Sequence, residues 1–382
     1  MRPEEFTGAS PGRLVQIPGG HAFVPEVLPP KLDVTWEIAG CLDRARGALA
    51  KLDGQASLIP NKTLVVRPLL RREAVESARL EGTHTHIVGV LLQERAGPAG
   101  DPTEASNNQE VINYLDASAQ GESWLREGRP FNLHLIRGLH ATLLDRTRGA
   151  GRRSGELRPG QVLIGEAGDT PASARFVPPP AEHVVPALEN LLAYLHATAP
   201  YPPLIAAGIV HYQFETIHPF EDGNGRLGRL LIPLQLMMAG VTEHPMVYLS
   251  PFFEARRDAY LELLMRVSTV GAWEAWLTFF LEAIKVQADD ARARVERILA
   301  LQQDYRARVR QRTRSQAPMV AIDLVIDQTI VTAPEIAQYA SCDYRTARTA
   351  LEALTALGIV EPMPNTYPQR WWARELIEQV YE

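Results

Sequence analysis

The chain has 382 residues, of which 46% are hydrophobic and 22% are charged, as expected of a globular protein large enough for two or three domains. Its 39 lysines and arginines against 45 aspartates and glutamates give a net charge of −6. That balance offers no electrostatic reason to expect nucleic acid as the main partner. The two cysteines, Cys41 and Cys342, are too few and too far apart for a disulfide framework or a cysteine metal site.

No segment is typical of a membrane span or a secretion signal. The start, MRPEEFTGASPGR, has no apolar core, and the most apolar later run, residues 230–240, is too short to cross a bilayer. The sparse cysteines fit a reducing compartment. We therefore expect a cytoplasmic protein.

The first predicted elements are an extended stretch and two helices. Residues 1–30 are rich in proline and glycine and are expected to run extended over the surface. Apolar residues at helical spacing then predict one helix over 32–54, ending on Gly54, and a second over 61–83, ending near Gly82.

The middle of the chain, residues 107–285, is predicted to be mostly helical. Residues 154–180 differ, because short apolar runs separated by turn residues favour a hairpin-like flap that ends in three prolines. Residues 273–312 indicate a long helix or a helix pair.

The last segment, from residue 318, has the pattern of three helices followed by strand, turn and strand. Thr332 is a suitable cap for one helix, and Gly358 is a suitable end for another. This order predicts a small winged-helix-like module.

Residues 218–229, HPFEDGNGRLGR, fit neither an ordinary helix nor a strand, and the apolar stretches on each side predict flanking helices. GNGRLG matches the dinucleotide-binding pattern G-x-G-x-x-G, but the strand and βαβ unit that this pattern requires are missing. A calcium loop counted from Asp222 would need glutamate where Pro233 stands, and the Gly-Lys-Ser/Thr ending of a P-loop is absent.

The residue types of this stretch indicate phosphate chemistry. Glycines at a helix start let backbone N–H groups converge on an anion, and Arg226 and Arg229, three residues apart, can reach the same polyphosphate. Asp222 can hold Mg²⁺ against phosphate oxygens, and His218 can remove a proton from an attacking hydroxyl. Together they predict phosphoryl or nucleotidyl transfer with a histidine base.

The stretch resembles the Fic family signature H-P-F-x-[D/E]-G-N-G-R-x-x-R and matches it at every fixed position. The resemblance implies transfer of AMP from ATP to a Ser, Thr or Tyr hydroxyl of a protein, with release of pyrophosphate. It implies that His218 is the general base, that Asp222 binds Mg²⁺, and that Pro219 and Phe220 shape the loop. The ATP-binding residues that it implies are Gly223, Asn224, Gly225, Arg226, Gly228 and Arg229.

A second stretch, SARLEG, resembles the inhibitory motif of the same family, [S/T]-x-x-x-E-[G/N], at Ser77, Glu81 and Gly82. The resemblance implies that Glu81 pairs with Arg229 and so occupies the guanidinium that should hold the γ-phosphate. ATP would then bind with its α-phosphorus out of line, which is costly because positioning supplies most of the catalysis in such a site.

The resemblance also implies an architecture. The fold class is mainly α, with a Fic-type helical core, a short β-hairpin flap at 154–180 and a C-terminal winged helix. The flap would align a target segment by β-pairing, and Tyr260 would contact adenine. The expected segments are an N-terminal helical region (1–120), the core (121–285), a helical linker (286–317) and the winged-helix-like module (318–382).

Several alternatives stay open at this stage. One alternative is a DNA-binding regulator whose core senses nucleotide, although residues 318–382 hold four arginines against nine acidic residues. Another is a Fic enzyme that uses another donor or removes AMP. The expected partners are ATP, Mg²⁺ and a protein target, which can be the protein itself, and a homodimer is possible.

Overall fold

The computed structural model describes residues 1–59, 61–147, 153–197 and 200–381. Helices dominate this part of the chain, and its strands pair only in short antiparallel sheets. The expected mainly α fold class is therefore confirmed. Within the described residues, no helix is both long enough and apolar enough to cross a membrane.

The start of the chain is a hairpin, so the expectation of a merely extended stretch over 1–30 was incomplete. Strand β1 (Gly12–Ile17) pairs antiparallel with β2 (Gly20–Pro25), and the turn places Gly19 at φ 83°. A positive φ favours glycine, so the Pro18–Gly19 pair is a turn signal that the prediction of an extended stretch did not include.

Helix α1 (Trp36–Ser57) differs at both ends from the predicted helix over 32–54. It begins later because the Thr35 side chain accepts a hydrogen bond from the Ile38 N–H at 3.3 Å and caps the first turn. It continues past Gly54 because its buried face extends to Ala56.

The next helices surround the centre of the molecule. They are α2 (Thr63–Leu80), α3 (Ile87–Ala96), α4 (Pro102–Arg126), α5 (Leu133–Leu143) and α6 (Ala181–His196). Helix α2 corresponds to the predicted helix over 61–83. It ends just before Gly82, whose φ of 80° lets the Thr83 N–H turn back to the Ala78 carbonyl at 3.0 Å.

The central pair of helices carries the motif between them. Helices α7 (Pro203–Ile217) and α8 (Asn224–Met238) are buried along almost their whole length. Two shorter helices follow, α9 (Ser250–Glu254) and α10 (Arg257–Val270).

A single helix of 40 residues, α11 (Trp273–Arg312), then runs from the core to the C-terminal module. Of the two predicted forms, the long helix is confirmed and the helix pair is wrong. Helix α1 packs along it.

The predicted flap over 154–180 contains one antiparallel bridge. Ile164 and Phe176 exchange both backbone hydrogen bonds, at 2.9 and 3.0 Å. The Phe176 ring packs on Phe23 of β2, with ring centroids 5.8 Å apart. The N-terminal hairpin and the flap therefore share one small hydrophobic cluster.

The C-terminal module has more elements than the sequence predicted. They are α12 (Gln316–Gln328), β3 (Ile330–Thr332), α13 (Ala333–Tyr339), α14 (Tyr344–Ala356), β4 (Glu361–Pro362), β5 (Arg370–Trp372) and α15 (Arg374–Val380). Strand β3 and helix α15 were missed. The sheet order is β3-β5-β4, which fits a winged helix, an assignment that stays a prediction.

The predicted division into four segments also stays a prediction. Helix α4 runs through the proposed boundary at 120/121, and α11 runs through the one at 285/286. One hydrophobic cluster takes side chains from α1, from the central helices and from the C-terminal module. The segments therefore share their interior.

This shared interior predicts a clear difference between two leucines of α1. Leu49 is 4% exposed within the cluster, whereas Leu58, at the end of the helix, is 82% exposed. We expect Leu49→Ala to lower the free energy of unfolding by about 2 to 5 kcal/mol, because it leaves a cavity. The matched Leu58→Ala should change it by less than about 0.5 kcal/mol. Urea denaturation measures both, and equal losses would contradict the packing described.

Candidate functional site

The motif loop joins the end of α7 to the start of α8. His218 ends α7 in the left-handed conformation, with φ 49° and ψ 62°, and Gly223 precedes α8 with φ 76°. The Asn224 side chain closes the loop, since it donates to the Phe220 carbonyl and accepts from the Phe220 N–H, both at 2.9 Å. Asn224 therefore shapes the loop in addition to any contact with a nucleotide.

A buried histidine that the sequence did not single out holds the loop from the side of α5. The His140 ring stacks on Phe220 with centroids 3.7 Å apart, and its Nδ1 accepts the Gly155 N–H at 2.9 Å. Its Nε2 therefore carries the proton and donates to the Asp222 carbonyl at 2.9 Å. Phe220 is fully buried in this stack, as expected of a core anchor.

His218 is half-buried and lines a cavity beside the motif loop. Its Nδ1 lies 3.3 Å from the Glu215 carbonyl oxygen, which can only accept, so Nδ1 carries the proton. Burial lowers the pKa of His218 to about 4. The imidazole is thus neutral at neutral pH, and Nε2 is the nitrogen able to take a proton.

The sequence predicts a phosphate nest at the start of α8, and the structure places a helix N-terminus there. Backbone N–H groups in the first turn of a helix have no helical partner and attract anions. Asp222 already accepts the Gly223 N–H through its Oδ1 at 2.6 Å. At Gly225 a Cβ atom would collide with the Glu81 carboxylate and the Arg229 guanidinium. A side chain at this position would therefore have to displace one of the two charged groups.

Arg226 and Arg229 are both buried, and both bind acidic side chains from the N-terminal region. Arg226 donates to Glu110 Oε2 at 3.2 Å and approaches Asp222 Oδ1 at 3.5 Å. Glu110, on α4, also accepts from the Thr83 hydroxyl at 2.7 Å. Nothing in the sequence around Glu110 pointed to this contact.

Arg229 binds two residues of the second motif, Ser77 and Glu81. Its Nε donates to Ser77 Oγ at 3.0 Å, and one terminal nitrogen donates to the Ser77 carbonyl at 2.9 Å and to Glu81 Oε1 at 2.8 Å. Arg229 is 3% exposed, whereas the Glu81 side chain is 36% exposed. Burial opposes the charge of Glu81, but the guanidinium outweighs it and holds the pKa of that carboxyl below its ordinary value.

The buried carboxylate of Glu73 fixes α2 one turn before Ser77. Glu73 accepts from the Tyr114 hydroxyl at 2.9 Å, and from the Ser250 N–H and hydroxyl at 2.9 and 2.5 Å. These bonds tie α2 to α4 and α9. Burial raises the pKa of Glu73 above its ordinary value despite them.

A cavity of about 900 Å³ opens beside the motif. Its polar wall holds Glu81, Glu215, His218 and Arg229, and its apolar wall holds Leu261, Leu264 and Met265 of α10. The flap forms the remaining side through Ile164 and Phe176. Polar and apolar side chains therefore line different walls of this space.

The carboxyl group of Glu215 and the phenol of Tyr260 line the cavity. One Glu215 oxygen is buried without a hydrogen-bond partner, and burial raises the pKa of Glu215 to about 7. Tyr260, the predicted adenine contact, is 3% exposed and stacks on Phe253 with centroids 4.4 Å apart. Its hydroxyl pairs with His211 Nε2 at 2.9 Å, so Tyr260 is mainly part of the cavity's inner wall.

Comparison with known sequences agrees with this geometry. The sequence model of the Fic/DOC family matches residues 130–236, and the model of the family's N-terminal region matches residues 40–123. Together they cover half of the chain and include both motifs.

The chain belongs to the Fic/DOC family. Among curated relatives, the protein adenylyltransferase fic-1 of Caenorhabditis elegans is 36% identical over 89 residues, which are 23% of this chain and 16% of the relative. A probable protein adenylyltransferase of Aquifex aeolicus is 33% identical over 86 residues, or 22% and 27% of the two chains. The matched part is thus about a sixth to a quarter of each relative's length.

Solved Fic structures share the fold. A Fic family protein from Desulfovibrio desulfuricans superposes with a TM-score of 0.57 and 22% identity, over 90% of this chain and 98% of that one. A fragment of C. elegans Fic-1 gives a TM-score of 0.54 and 20% identity, over 70% and 74% of the chains. At such identities the likeness concerns the fold alone.

His211, beneath Tyr260 in this Fic core, predicts a pH effect on stability. Burial lowers its pKa to about 3, below the value of about 6.5 for an unfolded histidine. Its contribution is therefore complete above that unfolded value and is lost as the pH falls toward 3. We expect His211→Asn to remove about 2 kcal/mol of the stability loss between about pH 7 and pH 5. Urea denaturation at both pH values measures it, and parallel losses in wild type and variant would contradict the assignment.

Proposed function

We propose that this Fic/DOC protein is a protein adenylyltransferase that transfers AMP from ATP to a Ser, Thr or Tyr hydroxyl of a protein. The observation that carries the proposal is the meeting of three groups at one cavity. These are the unprotonated Nε2 of His218, the start of α8, and the buried guanidinium of Arg229. The adenylyltransferase names of the matched relatives agree with this reaction class.

The proposed reaction is an in-line displacement at the α-phosphorus of ATP. The target hydroxyl gives its proton to His218 Nε2 as its oxygen bonds to phosphorus. The bond from the α-phosphorus to the bridging oxygen breaks, and pyrophosphate leaves with the electron pair. Backbone N–H groups at the start of α8, with Arg226 and Arg229, stabilise the phosphate charge. Tyr260 and the apolar wall of α10 would face the adenine.

A magnesium ion is compatible with the site only if substrate phosphates complete its coordination shell. The described residues hold no cluster of three or more His, Cys, Asp or Glu side chains, but Mg²⁺ is often bound by one or two carboxylates together with substrate phosphates. Asp222, beside the nest, is the residue that would hold it. When bound, the ion would neutralise charge on the phosphate oxygens.

Glu81 supplies a restraint on this activity in our proposal. While Arg229 binds Ser77 and Glu81, its Nε and one of its terminal nitrogens are engaged where a γ-phosphate would have to bind. Glu81 lies at the rim, more than a third exposed, so it can leave without unfolding α2. Release of one side chain would therefore free the guanidinium.

The charge of the C-terminal module argues against DNA binding as the main function. Residues 318–382 hold four arginines against nine acidic side chains, the reverse of a phosphate-binding surface. Of the two arginines on α14, Arg348 pairs with Glu352 at 3.2 Å. A nucleotide sensor would also gain nothing from a neutral histidine in the cavity.

Label transfer from ATP tests the proposal. With Mg²⁺ and ATP labelled on the α-phosphate, we expect Glu81→Gly to label protein about 10 to 100 times faster than wild type, because a charge-assisted bond to Arg229 is removed. Adding His218→Ala should lower that rate by about 10²- to 10⁴-fold. Ser77→Ala, which leaves Glu81 on Arg229, is the matched control and should raise labelling less.

Two results would contradict the proposed adenylyl transfer. Label arriving only from the γ-phosphate would mean phosphoryl transfer in the same cavity. Labelling that survives His218→Ala unchanged would remove His218 as the base.

A further inference from the structure

We propose that Arg158 is a positioning residue that holds the backbone of His218 and both ends of the flap as one unit. Arg158 lies at the start of the flap, 60 residues before His218, and is 3% exposed. The idea rests on the proposed function only for its effect on turnover. Its structural part stands on the hydrogen bonds alone.

Among the described residues, the guanidinium of Arg158 donates to backbone carbonyl oxygens and to no side chain. On the motif side, Nε donates to the His218 carbonyl at 2.7 Å, and a terminal nitrogen donates to the Ile217 carbonyl at 3.3 Å. On the flap side, terminal nitrogens donate to the Gly160 carbonyl at 2.8 Å and the Pro179 carbonyl at 2.5 Å. Its own backbone N–H donates to the Pro219 carbonyl at 3.0 Å.

Two of these acceptors, the carbonyls of Ile217 and His218, need a donor from outside their helix. The last carbonyls of a helix have no helical donor, and Ile217 and His218 end α7. His218 also adopts a left-handed conformation that a residue with a side chain rarely takes, so the surroundings must hold it there. Arg158 supplies a charged, forked donor at that point.

Arginine is required for this arrangement. A guanidinium presents five N–H donors in one plane, and Arg158 directs them toward carbonyls on two separate segments. A lysine ammonium offers three donors at one point and cannot span both sides. Burial lowers the pKa of Arg158 to about 10, which still leaves it charged at neutral pH.

The consequence is a fixed relation between the target and the base. Gly160 and Pro179 lie at the two ends of the flap, whose bridge between Ile164 and Phe176 borders the cavity. A target segment placed by the flap would therefore be placed relative to His218. Arg158 would act on turnover through position and not through contact with the reacting atoms.

The experiment compares Arg158→Ala, Arg158→Lys and the control Arg137→Ala in the Glu81→Gly background. Arg137 donates to the Gly155 carbonyl at 2.7 Å, so it binds the flap's start without touching the motif. Hydrogen exchange is followed at residues 156–164, 175–181 and 216–224, together with transfer kinetics.

We expect Arg158→Ala to speed exchange in all three segments by about 10- to 100-fold. It should lower kcat by a similar factor while leaving the KM for ATP within about twofold. Low millimolar guanidinium should restore both, Arg158→Lys should restore little, and Arg137→Ala should leave residues 216–224 unchanged.

Unchanged exchange at residues 216–224 in Arg158→Ala would overturn the proposal, as would a loss seen only as a higher KM for ATP. If Glu81→Gly itself shows no transfer, the proposed function fails, and the exchange data still decide the role of Arg158.

From a separate set of contacts, we infer that the C-terminal module holds Glu81 in place. Helices α2 and α3 flank the segment that carries Glu81, and both are bound to this module. On α2, Arg67 pairs with Asp327 at 3.1 Å, and the buried Arg71 donates to the Asp327 carbonyl at 3.0 Å.

Helix α3 makes the second attachment. Leu91 packs in one apolar cluster with Ile330, Met363 and Ile377, and Trp372 lies at its edge. Arg95 on the same helix pairs with Glu335 at 2.9 Å. Loss of these contacts would loosen both helices and thus the segment between them.

Charge reversal at the α2 attachment tests this inference. Arg67→Asp and Asp327→Arg should each speed hydrogen exchange at residues 77–86, and transfer, by about two- to fivefold, as expected of a partly exposed pair. The double variant should return both toward wild type. Arg348→Glu, which breaks a pair inside the module, is the control. Single variants with unchanged exchange, or a double variant without recovery, would overturn the inference.

Discussion

The charge of Arg229 is the constraint on which the site depends. A guanidinium that is 3% exposed must find acceptors, because a buried unpaired charge is strongly destabilising. Ser77 and Glu81 provide them, so α2 has to end beside the start of α8. The bonds of Glu73 fix α2 there, and the absence of a side chain at Gly225 leaves room for the contact. A phosphate would satisfy the same charge, so in the proposed function anchoring the N-terminal region and binding nucleotide would compete for one group.

The parts of the site that could be predicted from the sequence are the contiguous ones. His218 to Arg229 follow one another, so residue types and spacing alone indicated a phosphate nest, and a family resemblance added Ser77 and Glu81. Glu73, Glu110, His140 and Arg158 were missed because each has a partner at least 41 residues away along the chain. A lone histidine or arginine among apolar neighbours carries no local sign of such a partner.

The fold shows the same limit. Long amphipathic segments such as α2 and α11 were predicted well because their apolar faces repeat over many turns. The short elements β1, β2, β3 and α15 were missed, since three to seven residues carry too little periodicity. The end of α1 was wrong because burial of Ala56 outweighed the tendency of Gly54 to end a helix.

Helix α11 limits how this molecule can transmit a signal. Forty residues of unbroken helix extend about 60 Å, with Trp276 buried in the core near one end. Near the other end, a terminal nitrogen of Arg308 lies 3.5 Å from a carboxylate oxygen of Glu375 in the C-terminal module. A continuous helix of this kind has no hinge, so the two regions it joins turn together as one lever arm. A signal from the module would then have to pass through weakened contacts with the neighbouring helices, and not through a rotation of the module relative to the core.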